Sequence, residues 1–132
     1  MLDADGLVKL ADGDPLARSH FEAARRRHGR VVTAASTLAE VLRGGPRDAR
    51  VHRMLSRMTI IPLDKQGGRA AGELLGLTGL PGHRCALDAV LAVVALAQPR
   101  PVVLLTSDTD DLRRLTEEPG RHRAERIAVV RV

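Results

Sequence analysis

The chain has 132 residues, 44% hydrophobic and 28% charged, which bounds it to one soluble globular domain with a single aliphatic core, since Phe21 is its only aromatic residue. Its lone cysteine, Cys85, excludes an intrachain disulfide, a cysteine-rich zinc cage and a CxxC redox pair, and the lack of aromatics excludes base stacking on aromatic platforms. Residues 1–10 lack a signal-peptide pattern and the longest apolar run, 89–97, falls short of the roughly 20 residues of a membrane span, so a cytoplasmic protein is expected; the net charge of +5, almost all arginine, suits either a polyanionic partner or a solvated surface.

Residues 2–4 (LDA) are predicted as a short strand, with only Met1 and Leu2 ahead of Asp3, followed by one or two helical turns through Lys9. Asp14-Pro15 supplies an N-cap and a first-turn proline for a helix to His28, which Gly29 stops. VVT at 31–33 is a second strand, 36–43 a helix ended by Gly44-Gly45, and Pro46 opens another helix through Ser56. MTIIPL, 58–63, is a third strand; Asp64 caps a helix to Leu77, and 79–82 is a loop. An apolar helix over 84–98 is bounded by Pro99; a strand at 102–106, a short helix over DDLRRL and a last strand at 126–131 follow. Buried-type strands alternating with helices predict an α/β fold, a three-layer α/β/α sandwich with a mainly parallel sheet of four to five strands, in a single domain over 1–132.

The apolar helix carries one carboxylate, Asp88, among small aliphatic side chains. An unpaired buried charge is costly, so Asp88 needs a partner. Arg84 at i−4 is available, but cation before anion is the weaker helical order. Binding sites in parallel sheets lie at the carboxyl ends of the strands. Asp3 and Asp108 end the first and fourth strands, and Glu40 and Asp88 lie on helices that can lean over that edge. Four like charges within a few ångströms stay ionised only if a cation joins them. A hard divalent ion with oxygen ligands, Mg²⁺ or Mn²⁺, meets that need and suits phosphoryl chemistry.

Asp3 in LDADGL, Glu40 in STLAEVLRGG, Asp88 in LDAVLAVVA and Asp108 in TSDTDDL resemble, in order and over nearly the whole chain, the four acidic motifs of PIN-domain nucleases, particularly the VapC-like toxins of bacterial toxin–antitoxin pairs. The resemblance implies a PIN-like fold and an Mg²⁺- or Mn²⁺-dependent endoribonuclease that cleaves RNA phosphodiester bonds with a metal-activated water, using one or two ions. It also implies a homodimer and a VapB-like antitoxin that blocks the site. Carried over, Asp3, Glu40, Asp88 and Asp108 are the catalytic acids. Asp3, Asp88 and Asp108 ligate the metal, Glu40 does so directly or through water, and Asp111 is accessory; Asp5 stands outside this set. Thr106, Ser107 and Arg84 are candidate substrate-binding residues.

Other readings of the same residues stand beside this one. Asp3 also suits a helix cap, Glu40 a capping box with Thr37, and Asp108 with Asp111 the cap of the next helix. The run RRRHGR, 25–30, is either a phosphate clamp or a solvated helix end, Cys85 reads as packing, and His83 as an inert loop residue. The apolar surface of 86–97 serves core packing or dimerisation. DADGL also resembles the opening of haloacid-dehalogenase-type phosphatases, with Asp3 as nucleophile, although the two lysines, Lys9 and Lys65, are badly placed for that chemistry. A third alternative is a non-catalytic module that binds RNA or an antitoxin.

Overall fold

The computed structural model describes residues 1–132. Strand β1 (Val32–Ala34) pairs in parallel with β2 (Thr59–Ile61), and β3 (Val103–Thr106) in parallel with β4 (Ala128–Arg131). The first three residues join the two pairs. Leu2 forms a parallel bridge with Leu105, and its N–H donates to the Val32 carbonyl at 3.2 Å. Asp3 N–H donates to Leu105 O at 3.2 Å, Leu105 N–H to Met1 O at 2.9 Å, and the Thr33 hydroxyl to Leu2 O at 2.8 Å. The strands therefore run β2, β1, residues 1–3, β3, β4, with the central member reduced to a bridge.

That centre corrects the predicted strand over 2–4. Asp3 leaves the sheet and caps helix α1 (Ala4–Asp12), its side chain accepting the Gly6 N–H at 2.6 Å. A carboxylate that satisfies one of the free amides of a first turn favours helix over continued strand. Gly6 permits the placement, because a Cβ there would stand 2.6 Å from the Leu105 carbonyl oxygen.

Helix α2 (Pro15–Arg26) begins as expected, with Asp14 accepting from Ala17 N–H at 2.8 Å, but ends two residues before His28, which itself takes the positive φ of 54°. Helix α3 (Ala35–Val41) starts one residue early. The Pro46 segment is a 3₁₀ turn (Pro46–Asp48) leading into α4 (Ala49–Leu55), because Asp48 turns back to accept Arg43 and Gly44 N–H at 2.8 and 2.7 Å. Helix α5 (Lys65–Thr78) is capped by Asp64 and closed by Gly79 at φ 66°. Helices α6 (Gly82–Leu96) and α7 (Asp110–Leu115) complete the chain's helices, α6 starting two residues before its predicted position.

Alternation along β3 divides the core. Leu104 faces a cluster built from α6, α5 and α7, including Ala89, Leu91, Ala92, Ala95 and Leu112. Leu105 faces the opposite cluster of Leu2, Leu7, Leu10, Phe21, Val51 and Leu55 from α1, α2 and α4. Adjacent side chains on a strand point to opposite faces, so helices cover both sides and three layers result. The α/β/α expectation holds, with short strands. The apolar side of α6 lies in the first cluster, so its hydrophobicity is that of a core helix. No single helix is long and apolar enough to cross a membrane.

Arg100 ties the end of α6 to the C-terminal segment. Its guanidinium holds both oxygens of Glu118 at 2.9 and 2.8 Å and the carbonyls of Gln98 and Glu125 at 2.8 and 3.1 Å. Burial alone would raise the Glu118 carboxyl, but Arg100 and Arg121 hold it below the usual carboxylate range. Both members of the Arg100–Glu118 pair are only 15% exposed, so removing one strands the other. Arg100→Ala is expected to lower the unfolding free energy by about 2–4 kcal/mol, read as a lower urea midpoint at unchanged slope. Gly6→Ala is expected to lower Tm even though alanine favours helix by about 1 kcal/mol, because the backbone contact cannot relax. A Tm at or above wild type would show that α1 has room to move off β3.

Candidate functional site

The connections after the parallel strands deliver acidic side chains to one edge of the sheet. Asp3 ends the central bridge, Asp108 follows β3, and Asp111 lies in the first turn of α7. Glu40 comes from the last turn of α3 and Asp88 from the second turn of α6. With Ala4, Asp5, Thr106 and Leu112 they line one cavity of about 130 Å³. The four acids expected to converge do so, and Asp111 and Asp5 join them.

No ion pair in the protein includes any of these carboxylates, and no basic side chain lines the cavity. Asp88 therefore has no cationic partner in the chain. Burial, then Asp3, Asp111, Asp108 and Asp5, push its carboxyl from the ordinary 3.8 to about 6. Asp3 is also raised, by burial first, with the Thr106 hydroxyl and the Gly6 N–H pulling against it. Glu40, at the exposed rim, is raised by partial desolvation and then by Asp88, Asp3 and Asp5. For Asp88, Asp3 and Glu40 the neighbouring carboxylates add to the cost of burial.

Local hydrogen bonds set the geometry. Asp3 is both a cap and a cavity residue, so the two readings of it coexist. The Thr106 hydroxyl donates to Asp108 O at 2.8 Å and accepts Asp108 N–H at 3.0 Å, folding the turn that carries Asp108. Asp108 Oδ1 accepts Asp110 N–H at 3.2 Å, but the N-cap of α7 is Thr109, which makes no side-chain capping bond, so the helix cap expected from Asp108 with Asp111 does not form. Ser107 donates to Asp5 and does not line the cavity. Glu40 closes no capping box, because α3 begins at Ala35, with no side-chain cap, and places Thr37 inside the helix.

Three candidates lie elsewhere. Arg84 and His83 are exposed on the first turn of α6, outside the cavity lining. The run 25–30 is wholly exposed at the end of α2, and its Arg27 and Arg30 line a different cavity with Met1, Val31 and Val103, at the strand beginnings. It therefore lies at the opposite end of the sheet from the acids.

One residue assigned to packing touches the site. The buried Cys85 thiol donates to Asp111 Oδ2 at 3.5 Å, and its sulfur and an oxygen from each of Asp88 and Asp111 lie within 4.8 Å of one another. The Cys85–Asp88 spacing of i, i+3 puts both on one helical face, which the sequence shows; the approach of Asp111, 26 residues away, it does not.

A family model described as PIN domain matches residues 1–118. Among solved structures, a chain in the crystal structure of VapBC2 from Rickettsia felis bound to a DNA fragment from their promoter superposes with a TM-score of 0.71. The match covers 100% of this chain and 97% of that one at 18% sequence identity, a level at which the likeness is one of fold. No curated protein matches the sequence. The matched span takes in all six acids of the cavity, and by that match the chain belongs to the PIN domain family.

Proposed function

We propose that the protein is a VapC-like toxin, a metal-dependent endoribonuclease restrained by a VapB-like antitoxin. The observation that carries this reading is the cavity itself: Asp3, Glu40, Asp88, Asp108 and Asp111 converge without any cation of the chain's own. The carboxylate oxygens are hard donors, which fits Mg²⁺ or Mn²⁺. Asp3, Asp88 and Asp108 would hold one or two such ions, with Asp111 accessory and Glu40 reaching them directly or through water. When bound, the ion supplies positive charge against the phosphodiester oxygens and lowers the barrier to attack by water.

The chain's own residues do the rest. Gly6 N–H orients Asp3, and Thr106 fixes the backbone of Asp108, which supports a positioning part for Thr106. Glu40, at the open rim, is the carboxylate placed to exchange a proton with the attacking water. Ser107 donates to Asp5, and Arg84 is exposed outside the cavity, so any contact of either with RNA would lie beside the acids and not among them. Arginines on the surrounding surface would hold the RNA backbone through phosphate contacts. The pairing of VapBC2 in the fold neighbour supports an antitoxin partner, and a homodimer is part of the same reading. The phosphatase alternative lacks its lysine: Lys9 Nζ donates to Val132 O and Lys65 opens α5, neither in the cavity.

Ionised Asp88 penalises the metal-free fold. Its raised carboxyl gives stability that is full below about pH 4 and lost as pH rises through about 6. With chelator at pH 8, Asp88→Asn is therefore expected to be more stable than wild type by about 1–2 kcal/mol after solvent screening at the cavity mouth. The difference should close as pH falls from 7 to 4; a gap that is constant with pH would mean that the carboxyl is unperturbed. Added Mn²⁺ should raise the Tm of wild type and leave Asp88→Asn flat, since a ligand of the folded state stabilises it by mass action. With Mg²⁺ and an RNA substrate, the same variant should lose about 100-fold or more in cleavage rate while keeping its fold. Cleavage at the wild-type rate would displace the site, and RNA binding without turnover by wild type would favour the non-catalytic module.

A further inference from the structure

We propose that Cys85, next to the acid cavity, completes a site for a thiophilic divalent ion of the Zn²⁺ and Cd²⁺ class, held by Cys85 Sγ with carboxylate oxygens of Asp88 and Asp111. The inference rests on the reading of the cavity as a metal site and concerns what this chain adds to it. Every donor in the lining is an oxygen; Cys85, just behind it, brings the one thiol in the protein against two of them.

The placement is set by three elements. Cys85 and Asp88 share a face of α6 one turn apart, and the first turn of α7 lays Asp111 across that face. The three donor atoms lie within 4.8 Å of one another, and Sγ is 3.5 Å from Asp111 Oδ2. A tetrahedral zinc ion with Zn–S of about 2.3 Å and Zn–O of about 2.0 Å has an S···O edge of about 3.5 Å. The pair thus already stands at the separation that such an ion would impose. Cys85 is 2% exposed, so the sulfur meets an ion only beside Asp88 and Asp111, the two donors it approaches.

Ion class then decides whether the sulfur takes part. Mg²⁺ and Mn²⁺ prefer oxygen and leave the thiol protonated and donating to Asp111. A soft ion displaces the thiol proton to solvent and binds the thiolate, which together with two carboxylates more than neutralises its charge. Both classes need Asp88 and Asp111, so they compete. Zn²⁺ at this site would take two carboxylates from the hard-ion site, and zinc should act as an inhibitor that excess Mn²⁺ relieves.

The test uses the full chain, metal-free, titrated separately with Cd²⁺, Co²⁺, Zn²⁺ and Mn²⁺. Wild type should show the ultraviolet sulfur-to-metal charge-transfer band with Cd²⁺ and Co²⁺, and a rise in Tm with Zn²⁺. Cys85→Ser and Cys85→Ala should both lose the band and at least tenfold in Zn²⁺ affinity, with the Mn²⁺-induced rise in Tm unchanged. Two variants are used so that one that misfolds does not decide the result; retained Mn²⁺ stabilisation is itself proof of fold. Cd²⁺ binding without the band, or Zn²⁺ affinity equal in wild type and variants, overturns the proposal and leaves the hard-ion reading intact. A band in wild type without any Mn²⁺ effect supports the sulfur site and overturns the hard-ion one.

Discussion

Mutual repulsion among carboxylates is the constraint on which this molecule turns. A cavity of about 130 Å³ is lined by six acidic side chains and no basic one. At an effective dielectric constant of about 20, two unit charges 4 Å apart repel by about 4 kcal/mol, a large fraction of the stability of a small domain. The carboxyls of Asp88, Asp3 and Glu40 are raised by burial first, and repulsion from their neighbours adds to it. A fold that accepts this cost at one place holds its acids where a cation recovers it.

The scaffold holds them with little material. The central strand is a single bridge at Leu2, fastened on one side to Val32 and on the other to Leu105. Asp3 is then both the end of the sheet and the start of α1, and Gly6 lets that helix approach the Leu105 carbonyl closely enough to keep the carboxylate over the cavity. Position and stability are joined here: the amide that caps the helix also orients the acid. On the far side, the Arg100–Glu118 pair closes the end of α6 and so steadies the helix that carries Asp88 and Cys85.

Charge is also sorted along the sheet. The acids occupy the strand ends, whereas Arg27 and Arg30 lie beside the strand beginnings. The exposed arginines and the acid-lined cavity thus lie at opposite ends of the sheet, and the surface field changes sign between them. Beside the cavity the Cys85 thiol stands against two of the oxygen donors, and the proposed distinction between hard and soft ions rests on that one atom.

Much of this was legible in the residues alone. Asp14-Pro15 and Asp64 announced their helices, buried-type strands between helices announced a parallel sheet, and a parallel sheet sends its strand ends to one edge, which is why Asp3 and Asp108 could be brought together on paper. The helix over 84–98 and its single carboxylate were equally plain, since 3.6-residue periodicity and burial are local properties. What local pattern does not carry is distance between elements. That Asp3 would leave the sheet after one bridge, that Ser107 would turn to Asp5 and that Arg25–Arg30 would end at the opposite side of the sheet from the acids all depend on how helices pack against strands. So does the meeting of Cys85 with Asp111, because contacts across 26 residues are decided by the docking of α7 on α6, where shape and burial choose the neighbour and spacing along the chain has no say.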